Sequence, residues 1–196
     1  MRILRINSSV KTETSESIRL TDRIIDGLQA NGRSLEVTVR DLNEYLPQLD
    51  NVWIEANNTP ADEYTDEQRK TLALSDKLVA EIEMADTLII GVALYNFSIS
   101  ASLKLWIDLV CRARKTFAYV DGSPKGLMLG KKAIVCFASG GTSFGSDIDF
   151  ASGYLRHILG FIGITDLTFI SADKHFMDDQ SLINANVAVD TLTNRL

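Results

Sequence analysis

Cysteine, histidine and proline are scarce: two, two and three among 196 residues. Cys111 and Cys136 lie in the apolar runs IDLVCRA and AIVCFAS, without CxxC or Cys/His spacing. They read as small buried hydrophobes in a reducing compartment, not as a disulfide or a metal site. His157 and His175 stand alone in the sequence, which leaves zinc without a ligand set. No stretch approaches the ~18 apolar residues of a membrane span. MRILRINSSV has too short an apolar run for a signal peptide, so a cytoplasmic location is the default expectation. A basic excess is missing as well. The formal net charge of −6 argues against nucleic acid and anionic membrane surfaces as partners. It does not exclude a small phosphorylated ligand, because main-chain N–H groups can hold phosphate inside an acidic protein.

Several motifs are absent too. No GxGxxG follows the first strand pattern, which disfavours a dinucleotide held on the Rossmann fingerprint. GxxxxGK[ST] is missing, so the chain is not a P-loop NTPase. No acidic pair follows that strand, which argues against a Mg-dependent phospho-receiver. Neither an internal repeat nor a Pro/Gly-rich linker appears. Apolar residues at 45% and charged residues at 23% are ordinary for a globular chain. The length suits a single domain over residues 1–196, large enough to bury a core without disulfides or metal.

What is present is an alternation of short β-rich runs and longer helical ones. RILRIN reads as a strand, and ESIRLTDRIIDGLQAN as a helix with Ile18, Thr21, Ile24, Ile25 and Leu28 along one face. SLEVTVRD alternates as a second strand, and residues 42–66, with Pro47 and Pro60, read as a long irregular connection. Thr65 and Gln68 form a capping box at the next helix start. DTLIIGVAL is a continuous apolar strand, as expected of a parallel strand covered on both sides. ASLKLWIDLVCRARKTF follows as an amphipathic helix with Leu103, Trp106, Ile107 and Val110 inward. TFAYVDGSPKGLM is an excursion turning at Asp121-Gly122, before the buried strand KKAIVCFAS. DFASGYLRHILGFIG, ITDLTFISAD and MDDQSLINANVAVDTLTNRL complete the chain as helix, strand and helix. The alternation implies an α/β fold: a flavodoxin-like three-layer sandwich, five parallel strands with helices on both faces.

All strand exits then share one edge of the sheet, and three of the loops there are chemically unusual. The first, NSSVKTETSES, supplies Ser8, Ser9, Thr12, Thr14, Ser15 and Ser17 and ends on a helix N-terminus. Hydroxyls, free N–H groups and the helix dipole together suit a phosphate. A helix cap needs only one of those hydroxyls. Glu16, negative beside a phosphate, is expected to point to water. The second loop is Leu94 to Ser98, where Tyr95 and Phe97 offer a flat apolar wall and Asn96 offers polar atoms to a planar heteroaromatic ring. Packing of Tyr95 and Phe97 onto the core is the alternative. The third, SGGTSFGSD, holds Gly140, Gly141 and Gly145. Glycine allows positive φ and close approach of a ligand, though a flexible turn would also use it.

These segments, in this order and spacing, resemble the FMN-dependent NADH:quinone oxidoreductases, also called FMN-dependent NADH-azoreductases. The resemblance covers nearly the whole chain and is carried by SS followed by SES, ALYNFSISASLK, TFAY, KGLMLGKKAIV, the glycine pair and LGFIGITD. It implies that Ser9 and Ser15, Glu16 and Ser17 bind the phosphate of a tightly bound, non-covalent FMN. It implies that Leu94, Tyr95, Asn96 and Phe97 line the isoalloxazine edge, and that Ala138, Ser139, Gly140 and Gly141 hold its pyrimidine end. Tyr119 and Phe161 would wall a substrate pocket near a subunit boundary, since the family's members are homodimers with flavins at the interface. The chain departs from the family at Leu94, where Met is frequent, and at Ala138-Ser139, where relatives can carry Ser-Arg. Residues 50–64 and 173–181 match less closely and could shape substrate access.

The resemblance further implies ping-pong catalysis, in which NADH reduces the flavin and a quinone or an aromatic azo compound then accepts two electrons. The cofactor carries the chemistry, so no dedicated catalytic side chain is expected. Two other readings stand beside this one. A flavodoxin-type one-electron carrier would share the fold, but its first loop usually contains glycine, which SSVKTETSES lacks. A binding domain on the same scaffold would take no cofactor.

Overall fold

The computed structural model describes residues 1–11 and 13–196. Five strands form one parallel sheet: β1 (Arg2–Asn7), β2 (Glu36–Asp41), β3 (Thr87–Ala93), β6 (Lys132–Ala138) and β7 (Asp166–Ala172). Their spatial order is β2-β1-β3-β6-β7. The chain leaves β1 for β2 on one side and returns to β3 on the other, so the order reverses at β1/β3. That is where open α/β sheets leave a crevice beyond the strands' carboxyl ends. A separate antiparallel pair, β4 (Phe117–Val120) and β5 (Ser123–Gly126), turns at Asp121-Gly122 as expected.

Side-chain alternation in the central strands builds two cores. Ile3 and Ile89 face one side, where α1 (Glu16–Ala30) and α6 (Asp179–Thr193) cover them. Leu4, Ile6, Leu88, Ile90 and Val92 face the other. There α3 (Asp66–Met84), α4 (Ala101–Val110) and α5 (Ser152–Phe161) pack. The capping box forms: Gln68 N donates to Thr65 Oγ1 at 3.2 Å, and Thr65 N to Gln68 Oε1 at 3.0 Å. The expected inward residues of α4 are all buried.

Two expectations need correction. Residues 42–66 are not irregular throughout: α2 (Asn51–Asn58) and a 3-10 turn (Ala61–Glu63) interrupt them. Asp50 caps α2 by accepting from Trp53 N, and Trp53 and Ala56 bury its inner face. On α1, Leu20 joins Thr21, Ile24 and Leu28 in the core, while Ile18 and Ile25 are only half-buried. The helix is rotated toward Leu20 because its face must meet both the sheet and α6. Both thiols are unpaired. Burial pushes Cys111 up to about 12 and raises Cys136 too, so neither is poised to react. No helix of the described residues is long and apolar enough to cross a membrane, and no cluster among them could hold a metal ion.

Candidate functional site

The exits of β1, β3 and β6 meet at one rim, around a cleft of about 390 Å³ that Ser9, Ser15, Glu16, Leu94, Tyr95, Ala138, Ser139 and Gly140 all line. A second cleft of about 420 Å³ adjoins it, shares Leu94, Ser139 and Gly140, and adds Asn96, Phe97 and Gly141. Ser17, on the first turn of α1, is fully buried behind Ser15, their hydroxyls 3.0 Å apart. Thr12 lies outside the described residues. Eleven of the twelve expected binding positions therefore border one continuous depression, and Ser17 backs it.

The hydroxyl-rich end of the cleft is built on the start of α1. Ser15 is its N-cap, but the bond it accepts from Ile18 N is long, 3.4 Å. The first N–H groups of the helix have no carbonyl of their own to meet, and they point out of the helix start. Ser9 is held in place rather than free. Its Oγ lies 3.2 Å from Tyr95 Oη and accepts from Lys11 N at 3.2 Å, while its carbonyl accepts from Asn43 Nδ2 at 2.9 Å. Ser8 serves the fold, donating to Gly91 O at 2.7 Å. Glu16 is not turned out to open water as expected. It is half-buried on the cleft wall, where Arg19 Nε donates to its Oε2 at 2.5 Å and neutralises it.

The aromatic end rests on an unusual turn. Tyr95 and Ser98 exchange main-chain bonds of 2.9 and 3.1 Å, with Asn96 at φ 49° and Phe97 at φ 70° between them. Two successive left-handed residues make a two-residue hairpin turn. It leaves Phe97 51% exposed, so the core-packing alternative for Phe97 is excluded. Tyr95 instead reaches back to the first loop, its Oη also accepting from Val10 N at 3.1 Å.

The glycine loop differs from expectation in detail. Neither Gly140 nor Gly141 has positive φ; Gly145 does. A Cβ on Gly140 would fall 2.4 Å from the ring of Phe176, so close approach is what requires glycine there. Asp149 locks the loop to α5, accepting from Gly145 N at 2.8 Å, Ala151 N at 3.0 Å and Ser152 N at 2.9 Å. Burial raises the Asp149 carboxyl, but the bonds from Ser152, Gly145 and Ala151 outweigh it and hold the group below the usual carboxylate value.

Tyr119 and Phe161 lie elsewhere. Phe117 joins them, 5.8 Å from Tyr119 and 4.5 Å from Phe161 between ring centroids. Phe161 ends α5, which runs from the rim back to the amino edge of the sheet where β7 begins. Neither residue lines the rim clefts. Lys11, His175 and Phe176 also line the main cleft; sequence reasoning missed Lys11, and marked the last two only as part of the segment 173–181 that could shape substrate access. It also missed Asn43 and Asp149, which brace the loops. A hydroxyl-and-N–H end beside an apolar aromatic end is the donor set that a flat, phosphorylated nucleotide such as FMN requires.

The family described as Flavodoxin-like fold matches residues 1–192. An FMN-dependent NADH:quinone oxidoreductase 1 of Jannaschia sp. (strain CCS1) is 56% identical over 176 residues, 90% of each chain. One from Colwellia psychrerythraea (strain 34H / ATCC BAA-681) is 48% identical over 97% of this chain and 99% of the other. Among solved structures, an azoreductase from Bacillus anthracis superposes with TM-score 0.90 at 24% identity, over 100% of this chain and 99% of that one. An FMN-dependent NADH-azoreductase from the same species, in complex with FMN, superposes with TM-score 0.87 at 25% identity, again over 100% and 99%.

Proposed function

Since the chain belongs to the FMN-dependent NADH:quinone oxidoreductases of the flavodoxin-like fold, we propose that it binds FMN in the rim cleft and uses NADH to reduce quinones and cleave aromatic azo compounds. The observation that carries this reading is the convergence of three sequence-distant loops on one depression. FMN, when bound, would supply the redox chemistry, two-electron transfer between a nicotinamide donor and the acceptor.

The protein's part is to bind, orient and shield. Ser9, Ser15 and the first N–H groups of α1 would hold the phosphate, with the helix dipole favouring its charge. Arg19 keeps the Glu16 carboxylate from opposing it. Leu94 to Phe97 would form the wall along the ring edge, and the main chain of Gly140 and Gly141 would meet its pyrimidine end. The open second cleft leaves one flat site for NADH and acceptor to occupy in turn, which is a ping-pong order. Stacking recognises flatness more than substituents, so acceptor range should be broad.

The whole chain acts as one FMN-binding domain in this reading, and its partner is a second copy. Tyr119, 66% exposed, and Phe161 do not line the clefts of their own rim, so they would serve the partner's. Oligomers with symmetric interfaces make such a contribution mutual. The two unpaired thiols support a reducing, cytoplasmic setting.

Absorbance of the purified protein, with and without added FMN, is the test. A bound flavin spectrum and steady NADH oxidation with a simple quinone are expected. Absence of FMN uptake would end the proposal; uptake without turnover would favour a one-electron carrier. Light scattering that gives the mass of one chain would remove the shared pocket.

A further inference from the structure

The connection after β7, from Asp173 to Asp178, is a further strand exit at this rim. Its main chain is pinned to the glycine loop. Lys174 N donates to Ser139 Oγ at 3.3 Å, His175 N to Ser139 O at 3.1 Å and Phe176 N to Gly140 O at 3.3 Å. Ser139 N donates in return to Ala172 O at 3.2 Å. The His175 ring is fixed twice: Nδ1 lies 3.2 Å from Ala172 O, and the ring meets Phe176 at 67° with centroids 4.6 Å apart. Gly140 completes the seat, because only an absent side chain leaves room for the Phe176 ring.

A residue seated by this many contacts would ordinarily be packed inward. Phe176 is instead 78% exposed, and it lines the same cleft as Ser9, Ser15 and Tyr95. Exposed apolar area contributes little to the stability of the free chain, yet it gains when a ligand removes it from water. Met177 supplies a contrast. It is 77% exposed one position further on, but it does not line the cleft.

We infer that Phe176 is a fourth wall of the nucleotide cleft, a specificity-determining residue that would lie against bound FMN beside Gly140 and slow its release. Gly140 acts as its positioning residue. The inference rests on the FMN reading above, and it adds a residue outside the three loops to that site. An aromatic face in contact with a flat ring and its side chain also discriminates against ligands too short to reach from Ser15 to Gly140.

The experiment is an FMN titration of the apo-protein followed by flavin fluorescence, with release rates measured on the same variants. Phe176→Ala should weaken FMN binding about tenfold, equivalent to about 1.4 kcal/mol, mainly through faster release. It should also lessen the fluorescence quenching that ring contact produces. Phe176→Trp should retain both properties. Gly140→Ala should weaken binding by displacing the ring, and Gly140→Ala combined with Phe176→Ala should be no weaker than the worse single variant. Met177→Ala should leave affinity unchanged. The apo-protein Tm of Phe176→Ala should match that of the unaltered chain, which separates lost contact from lost folding. If the unaltered chain binds FMN and Phe176→Ala binds it equally well, or if Met177→Ala weakens it as much, the inference is overturned while the FMN reading stands. If the unaltered chain takes up no FMN, both fall.

Discussion

The turn at Tyr95 to Ser98 makes an unusual demand on Phe97. A φ of 70° places its Cβ against the following carbonyl, at a cost of about 1–2 kcal/mol for any residue but glycine. Asn96, at φ 49°, pays less because its short amide tolerates this region. Asn-Gly is the favoured pair for such a two-residue turn, yet the chain carries Asn-Phe. Two variants separate backbone from ring. Phe97→Gly and Phe97→Ala both delete the half-exposed aromatic, so they lose the same side-chain contacts. They differ in whether the left-handed backbone is relieved. At an ordinary position alanine is the more stable choice, by about 0.5–1 kcal/mol. Here the order should invert, with Phe97→Gly more stable by about 1 kcal/mol. For a chain of this size that is a Tm about 2–4 °C higher, readable by circular dichroism on the apo-protein. FMN affinity and quinone turnover should fall together in both variants, because the ring is gone from each. If Phe97→Ala proves as stable as Phe97→Gly or more so, the left-handed turn is not there, and the account of why Phe97 stands in the open cleft goes with it.

Three further outcomes follow from the same geometry. Tyr95→Phe removes the hydroxyl that Ser9 and Val10 share; it should weaken FMN binding by about 1 kcal/mol, and an unchanged titration would show that the first loop does not need this tie. Arg112 is 1% exposed and donates to Asn57, Ser75 and the half-solvated Asp76, which also keeps Lys115; Arg112→Met should lower stability by about 2 kcal/mol through the hydrogen bonds lost without altering FMN affinity, so an unmoved denaturation midpoint would refute its bracing role. The Asp149 carboxyl is held below its ordinary value, so its stabilising effect is complete above the unfolded value of about 3.9 and is lost as pH falls through the lowered one. The deficit of Asp149→Asn should therefore be constant above about pH 5 and shrink in stronger acid; a deficit independent of pH would contradict the linkage.

Local chemistry was legible in the sequence where local bonds decide structure. Thr65 and Gln68 satisfy each other within four residues, and Asp121-Gly122 turns a hairpin by its own dihedrals, so both could be read without knowing the rest of the fold. α2 was not readable because it is short and its anchor is distant: Trp53 packs beneath the Arg112 guanidinium, 5.8 Å from the ring centroid. The site divides the same way. Parallel strands must exit at one edge, which brings the first three loops together on topology alone. DKHFMDDQ leaves the same edge after β7, but it has neither a hydroxyl cluster nor a glycine to mark it, and its bonds to Ser139 and Gly140 are visible only in the folded chain. Glu16 misled for a related reason. Its charge opposes a phosphate until Arg19, one turn along α1, is seen to take it.

Tyr95-Asn96-Phe97 at the end of a buried strand can now be taken residue by residue. Asn96 is there for its backbone, since the turn needs a residue that accepts positive φ. Phe97 is there for its face, held half out of the protein against the preference of its own backbone. Tyr95 is there for its hydroxyl, which reaches a serine 86 positions earlier in the chain. That last contact couples the two ends of the cleft: a shift of the first loop at Ser9 must move Tyr95, and Tyr95 carries the turn that holds Phe97. A ligand held as proposed, at its phosphate by one loop and along its ring by the other, would therefore meet a rim that responds as one piece. In the proposed binding mode, energy gained at the phosphate would not be dissipated in independent motion at the ring, so that an acidic chain with only the exposed Lys11 at the cleft would hold a dianionic nucleotide in a fixed orientation.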